Sequence, residues 1–156
     1  MKFSDRAVVF LATGFYIGNI PLAPGTFGTL LGLPLCYGLT GLKLPLASVC
    51  TLLFILVAVW IANGAEKLLG EKDPGSVVID EIAGMAVTLA GLPFNFDTAL
   101  MGFIIFRILD ILKPFPIRNL DKRISGGVGI VLDDVVAGIF ANLLLRIVIY
   151  FFLKAT

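Results

Sequence analysis

Five apolar stretches divide the chain, at residues 27–42, 46–62, 77–92, 98–112 and 131–153. The stretches at 46–62 and 131–153 have the length and content of membrane helices, since a span needs about 20 apolar residues. The other three are shorter, which suits tilting into a thinned bilayer or shielding by the two long helices. Residues 3–17 differ: Phe3, Ala7, Phe10, Leu11 and Phe15 recur near helical spacing, with Lys2, Asp5 and Arg6 around them, as in a helix lying in the membrane interface. The pattern predicts an all-α chain, a polytopic membrane helix bundle of about four to five spans plus an N-terminal interfacial helix. All of residues 1–156 form one membrane-embedded unit in this reading.

Composition sharpens this picture. The chain is 58% hydrophobic with a mean hydropathy of +1.02, above the roughly 45–50% apolar content of soluble domains. A net charge of +1 leaves no broad basic surface, so nucleic acid is not an expected partner. Histidine is absent, which removes imidazole acid–base catalysis, phosphohistidine chemistry, Ser-His-Asp and Cys-His hydrolases and most zinc sites. Cys36 and Cys50 lie in apolar runs and read as buried thiols. Lys2 and Arg6 precede apolar residues without a clean small-x-small site after them, so no cleaved signal is expected.

Charge also orients the chain. The segment 113–130 carries Lys113, Arg118, Lys122 and Arg123 against Asp121, which makes it cytoplasmic by the positive-inside rule. Counting spans outward, residues 93–97 and Lys43 lie outside, whereas the polar linker 63–76 and the clusters at 19–29, 73–81, 107–123 and 126–134 lie inside. A transporter places polar groups near the midplane and on both faces. A one-sided cluster suits an enzyme working at the inner leaflet, and a small cation channel or carrier using the acids is the alternative.

Four groups of residues could carry that chemistry. Asp80-Glu81 and Asp133-Asp134 are acid doublets preceded by apolar residues, each at the expected start of a helix after a glycine-bearing loop. Capping explains one acid per helix. Two acids point instead to a divalent cation, and hard oxygen ligands select Mg2+ or Mn2+, as one ion or two. Arg107, Asp110 and Lys113 are spaced by three and share a helix face ended by Pro114. They form either an internal Arg107–Asp110 ion pair with a snorkelling Lys113, or a phosphate clamp. In the clamp, Arg107 forks two oxygens, Lys113 adds a point charge, and Asp110 orients Arg107 or reaches the metal. The run from Pro21 to Thr29 is a turn into a helix where backbone amides and the Thr26 and Thr29 hydroxyls can meet an anion. Arg118, Lys122 and Arg123 suit contact with anionic head groups, and Gly126-Gly127-x-Gly129 reads as a flexible loop or an anion nest.

Taken in order, PGTFGT, DPGSVVIDEIAGM, FRILDILKPFPI and GGVGIVLDDVVAG resemble the phosphatidylglycerophosphatase A family, over about residues 18–145. The resemblance implies a bacterial inner-membrane, Mg2+-dependent enzyme that hydrolyses phosphatidylglycerophosphate to phosphatidylglycerol and phosphate at the cytoplasmic face. Its expected metal ligands are Asp80, Glu81, Asp133 and Asp134, with Asp110 in the catalytic set and Asp134 as the candidate base. Thr26, Arg107, Lys113 and Arg118 are the expected phosphate-binding residues. Membrane lipids and the phospholipid substrate are the expected partners, and both direct attack by water and a covalent aspartyl-phosphate route are open.

Overall fold

The computed structural model describes residues 2–115, 117 and 124–155, excepting the side chains of 152–155. The described residues are helical, with no strand: α1 (Phe3–Ala12), a 3-10 turn (Ile17–Asn19), α2 (Pro24–Thr40), α3 (Leu44–Leu69), α4 (Ile79–Thr88), α5 (Phe96–Leu112) and α6 (Gly126–Ala155).

Local chemistry sets most of the boundaries. Pro24 opens α2, where its fixed φ suits the first helical turn. The Asn95 side chain caps α5 by accepting a 2.9 Å bond from the Thr98 amide. Beyond its other end, Lys113 takes a left-handed φ of 41° and Pro114 prevents continuation. Two expected boundaries need correction. Helix α3 runs through the polar residues 63–69 and stops at Gly70, whose φ of 72° permits the terminating turn, so the linker begins there and not at Asn63. Helix α6 begins at Gly126, so the glycine cluster is helix for the most part and not loop or nest. The absence of a side chain at Gly127 lets α6 approach α3, since a Cβ there would stand 2.5 Å from the Asn63 amide nitrogen. Asp133 and Asp134 consequently lie two turns inside α6, not at its start.

Helix α4 is the hub. It packs against α2, α3, α5 and α6, and eight of its ten residues are buried. At about 1.5 Å per residue it is only about 15 Å long, half the hydrocarbon thickness of a bilayer. The stretch at 77–92 thus yields a helix shorter than its apolar run, followed by a turn at residues 89–95. Helices α4 and α6 run parallel and touch through glycines. A Cβ on Gly138 would lie 2.5 Å from the Gly84 carbonyl, and one on Gly84 would meet the Phe106 ring of α5 at 2.5 Å. Helix α2 is also parallel to α4, with Gly25 near Glu81 and Gly32 near Met85. Helix α5 is antiparallel, with Gly102 near Leu89 and Phe106 near Gly84.

This arrangement collects Asp80, Glu81, Arg107, Asp110, Lys113, Asp133 and Asp134 at one end of the bundle. The outward faces are apolar: Leu46, Val49, Leu53, Leu56 and Trp60 of α3 are all more than half exposed. Helix α3 and residues Gly126–Phe151 of α6 are long and apolar enough to cross a membrane. Helix α1 packs on α3 and leaves Phe3, Phe10, Leu11 and, beyond its end, Phe15 exposed.

Candidate active site

A cavity of about 290 Å3 opens at the polar end, where α2 and α4 begin, α5 ends and the second and third turns of α6 pass. The first turn of α4 contributes Asp80 and Glu81, placed where unpaired backbone amides favour negative charge. The end of α5 contributes Arg107 and Asp110, followed by Lys113, and α6 contributes Asp133 and Asp134. Asp73 of the α3–α4 connection adds a further carboxylate to the lining, and Pro24 and Gly25 of α2 form part of its wall.

Within the cavity the cations are already engaged. Arg107 donates from Nη1 to Asp110 Oδ2 at 2.6 Å and lies 3.9 Å from Glu81 Oε1. Lys113 Nζ pairs with Asp133 Oδ2. The remaining acids form a tight group, with one carboxylate oxygen each from Asp80, Glu81 and Asp134 within 4.8 Å of one another. Asp80 is 9% exposed and Asp134 3%, so water does little to separate them. Asp80 Oδ1, Glu81 Oε2 and Asp134 Oδ2 are buried without a hydrogen-bond partner among the described residues.

These residues fit a hard divalent cation. Oxygens bound at about 2.0–2.6 Å to one ion lie within about 5 Å of each other, as these three do. Buried carboxylate oxygens lacking a proton donor are costly unless charge compensates them. Among the described lining residues six carboxylates (Asp73, Asp80, Glu81, Asp110, Asp133, Asp134) face two cations (Arg107, Lys113). A cavity of that charge repels an anionic ligand until a cation offsets the excess.

The profile of the Phosphatidylglycerophosphatase A family matches residues 10–149. The chain belongs to the phosphatidylglycerophosphatase A family. A phosphatidylglycerophosphatase A of Escherichia coli K12 is 44% identical over 132 residues, 84% of this chain and 77% of its own length. The Haemophilus influenzae phosphatidylglycerophosphatase A is 39% identical over 147 residues, 92% of this chain and 89% of its own. A Bacteroides thetaiotaomicron protein provisionally named phosphatidylinositol-3-phosphatase is 36% identical over 156 residues, 94% and 96% of the two chains. No solved structure matches the chain.

Seen as a member of the phosphatidylglycerophosphatase A family, the chain brings most of the anticipated site residues together. Asp80, Glu81, Arg107, Asp110, Lys113, Asp133 and Asp134 line one cavity. The acid doublet of α6 is divided, however: Asp134 joins Asp80 and Glu81, whereas Asp133 is held by Lys113. On the α5 face, Arg107 and Asp110 form the expected ion pair, and it lies at the cavity, whereas Lys113 pairs with Asp133. Thr26 is not among the residues lining the cavity; Pro24 and Gly25 reach it instead, and Thr29 bonds the Gly25 carbonyl of its own helix at 2.8 Å. Arg118, Lys122 and Arg123 lie outside the described residues. Asp73 was not anticipated as a site residue; the signal was its place in the Asp73-Pro74-Gly75 turn just before the α4 doublet.

Proposed function

We propose that this member of a phosphatase family hydrolyses the terminal phosphomonoester of phosphatidylglycerophosphate, releasing inorganic phosphate and phosphatidylglycerol. The whole chain acts as one membrane-embedded unit with its site at the cytoplasmic surface of the bacterial inner membrane. The observation that carries the reading is the excess of buried carboxylates beside an arginine in a cavity at one end of an apolar bundle. That combination suits a divalent cation and a phosphate together, reached by a lipid whose acyl chains stay in the leaflet. The one-sided placement also favours an enzyme over a carrier.

Asp80, Glu81 and Asp134 would hold Mg2+, with Asp133 kept beside them by Lys113. When bound, the ion polarises the phosphoryl group and acidifies the attacking water. The protein groups supply the rest. Arg107, oriented by Asp110, directs its guanidinium to the non-bridging phosphate oxygens, where positioning and charge stabilisation carry most of the barrier lowering. An Asp134 carboxylate oxygen not engaged by the ion takes the proton of the water whose oxygen bonds to phosphorus. The bond from phosphorus to the glycerol oxygen breaks, and that oxygen leaves as the alcohol with the proton that Asp134 took from the water, which regenerates the carboxylate.

The test is phosphate release by the purified protein in mixed micelles. Phosphatidylglycerophosphate with Mg2+ gives turnover, EDTA abolishes it, and added Mg2+ restores it. Phosphatidylinositol 3-phosphate serves as the competing substrate, given the name of the Bacteroides thetaiotaomicron relative. Equal turnover with and without EDTA overturns the metal reading, and preference for the phosphoinositide overturns the substrate.

A further inference from the structure

Helix α4 stops short of the other helices, and the turn after it lies beside Leu44 at the start of α3, so its last carbonyls need donors there. Unsatisfied carbonyls at a helix end are costly, and the turn after Thr88, which satisfies Met85, Val87 and Leu89 from its own amides, leaves those of Thr88 and Ala90 without a backbone donor among the described residues. One helix supplies them. Asn142 Nδ2 donates to Thr88 O at 2.8 Å and to Ala90 O at 3.0 Å, with a longer contact to Val87 O at 3.4 Å. Arg146 donates from Nη2 to Ala90 O at 2.9 Å and from Nε to Asn142 Oδ1 at 2.8 Å, so it also fixes which way the Asn142 amide faces.

The same helix carries Asp134. Residues 134, 138, 142 and 146 recur at intervals of four along α6, which places them on one stripe. On α4, residues 80, 84 and 88 recur at the same interval. The two stripes meet in register: the acids at one end, Gly138 against Gly84 in the middle, and Asn142 against Thr88 at the other end. Glycine contact lets the helices approach but leaves them free to slide or rotate. The polar contacts at residues 142 and 146 are directional and do not.

We infer that Asn142 and Arg146 are positioning residues for the acid cluster: by gripping the Thr88 carbonyl at the end of α4 and the Ala90 carbonyl just beyond it, they lock the axial register of α4 against α6 and so set the separation of Asp80 and Glu81 from Asp134. They touch neither substrate nor the acids, and act from about 12 Å (Asn142) and about 18 Å (Arg146) along α6 from Asp134, the rise of eight and twelve helical residues. The inference rests on the proposal that those three acids hold a divalent cation.

The test uses Mn2+ binding to the purified full-length protein in detergent, followed by electron paramagnetic resonance, beside the thermal midpoint without metal. The variants are Asn142→Leu, Arg146→Met and Arg146→Lys, with Leu144→Ala, on the exposed side of α6, as control. Arg146→Met keeps an unbranched stem at an exposed position and covers the case in which Asn142→Leu fails to fold. Asn142→Leu and Arg146→Met are expected to weaken Mn2+ binding roughly tenfold, the lower end of the loss when support behind metal ligands is removed. Arg146→Lys recovers part of it, and the control binds as the parent does. A merely structural role lowers the midpoint yet leaves the affinity of the folded protein unchanged, and that result overturns the inference. Absence of Mn2+ binding by the parent itself overturns the metal reading and this one with it, whereas parent binding with equal affinity in both variants overturns this one alone.

Discussion

Gly25→Ala separates the chemistry of the site from the stability of the fold. Gly25 is buried in the first turn of α2, and a Cβ there would stand 3.0 Å from both Nη1 and Nη2 of Arg107 and overlap Glu81 Oε1. An ordinary contact is 3.4–4 Å, so the Glu81 carboxylate must withdraw by roughly 1 Å and the guanidinium by a few tenths. Both are ends of flexible side chains, so they yield without disturbing the backbone, and alanine is the better helix former at a helical position. Folding is therefore expected to survive. The geometry of the acid group and of Arg107 is not, and a misplacement of about 1 Å costs about a hundredfold in rate. That corresponds to about 2.7 kcal/mol of transition-state stabilisation. The assay is phosphate release at saturating phosphatidylglycerophosphate and Mg2+, with the thermal midpoint measured on the same preparation. A variant with parent-like turnover would refute the placement of Gly25 against the working side chains. Loss of turnover accompanied by a collapsed midpoint would refute the separation of site from fold.

Three further outcomes are expected. Asp134→Asn keeps the side-chain volume but removes the charge, and should lower turnover by more than about a hundredfold, the scale of losing several kcal/mol of charge stabilisation, while Mn2+ binding measured by electron paramagnetic resonance falls with it. Gly138→Ala places a methyl against the Gly84 carbonyl, backbone that cannot swing aside, and should lower stability by about 1–3 kcal/mol, read from the thermal midpoint. Lys113→Met removes the cation paired with Asp133 and should destabilise by about 1.5–3 kcal/mol, with Lys113→Arg recovering much of it in the same measurement.

The apolar runs placed the helices within a few residues, because a helix that faces hydrocarbon or other helices must be apolar over its length. The boundaries that differ do so where polar or flexible residues are still helical. Asn63, Glu66 and Lys67 read as linker, but the backbone bonds continue until Gly70. Gly126, Gly127 and Gly129 read as loop, but Gly127 is needed for the approach of α3 to α6, a contact between segments far apart in the chain.

The same distinction governs the site. Sequence alone was sufficient for the family, through the ordered motifs, and for the set of charges at the site; carboxylates and an arginine among apolar residues, with no histidine, make metal-assisted work on an anion the expected chemistry. It could not say which acid of each doublet does what. Adjacent residues on a helix point about 100° apart, so Asp133 and Asp134 cannot both face α4 equally. The rotation of α6, set by Gly138 against Gly84 and by Asn142 at the end of α4, turns Asp134 to the acid group and leaves Asp133 to Lys113. Local composition determines what a segment is made to bury and which charges it carries; only packing between distant segments decides which of those charges meet, because separation and direction are properties of the assembled helices and not of any one of them.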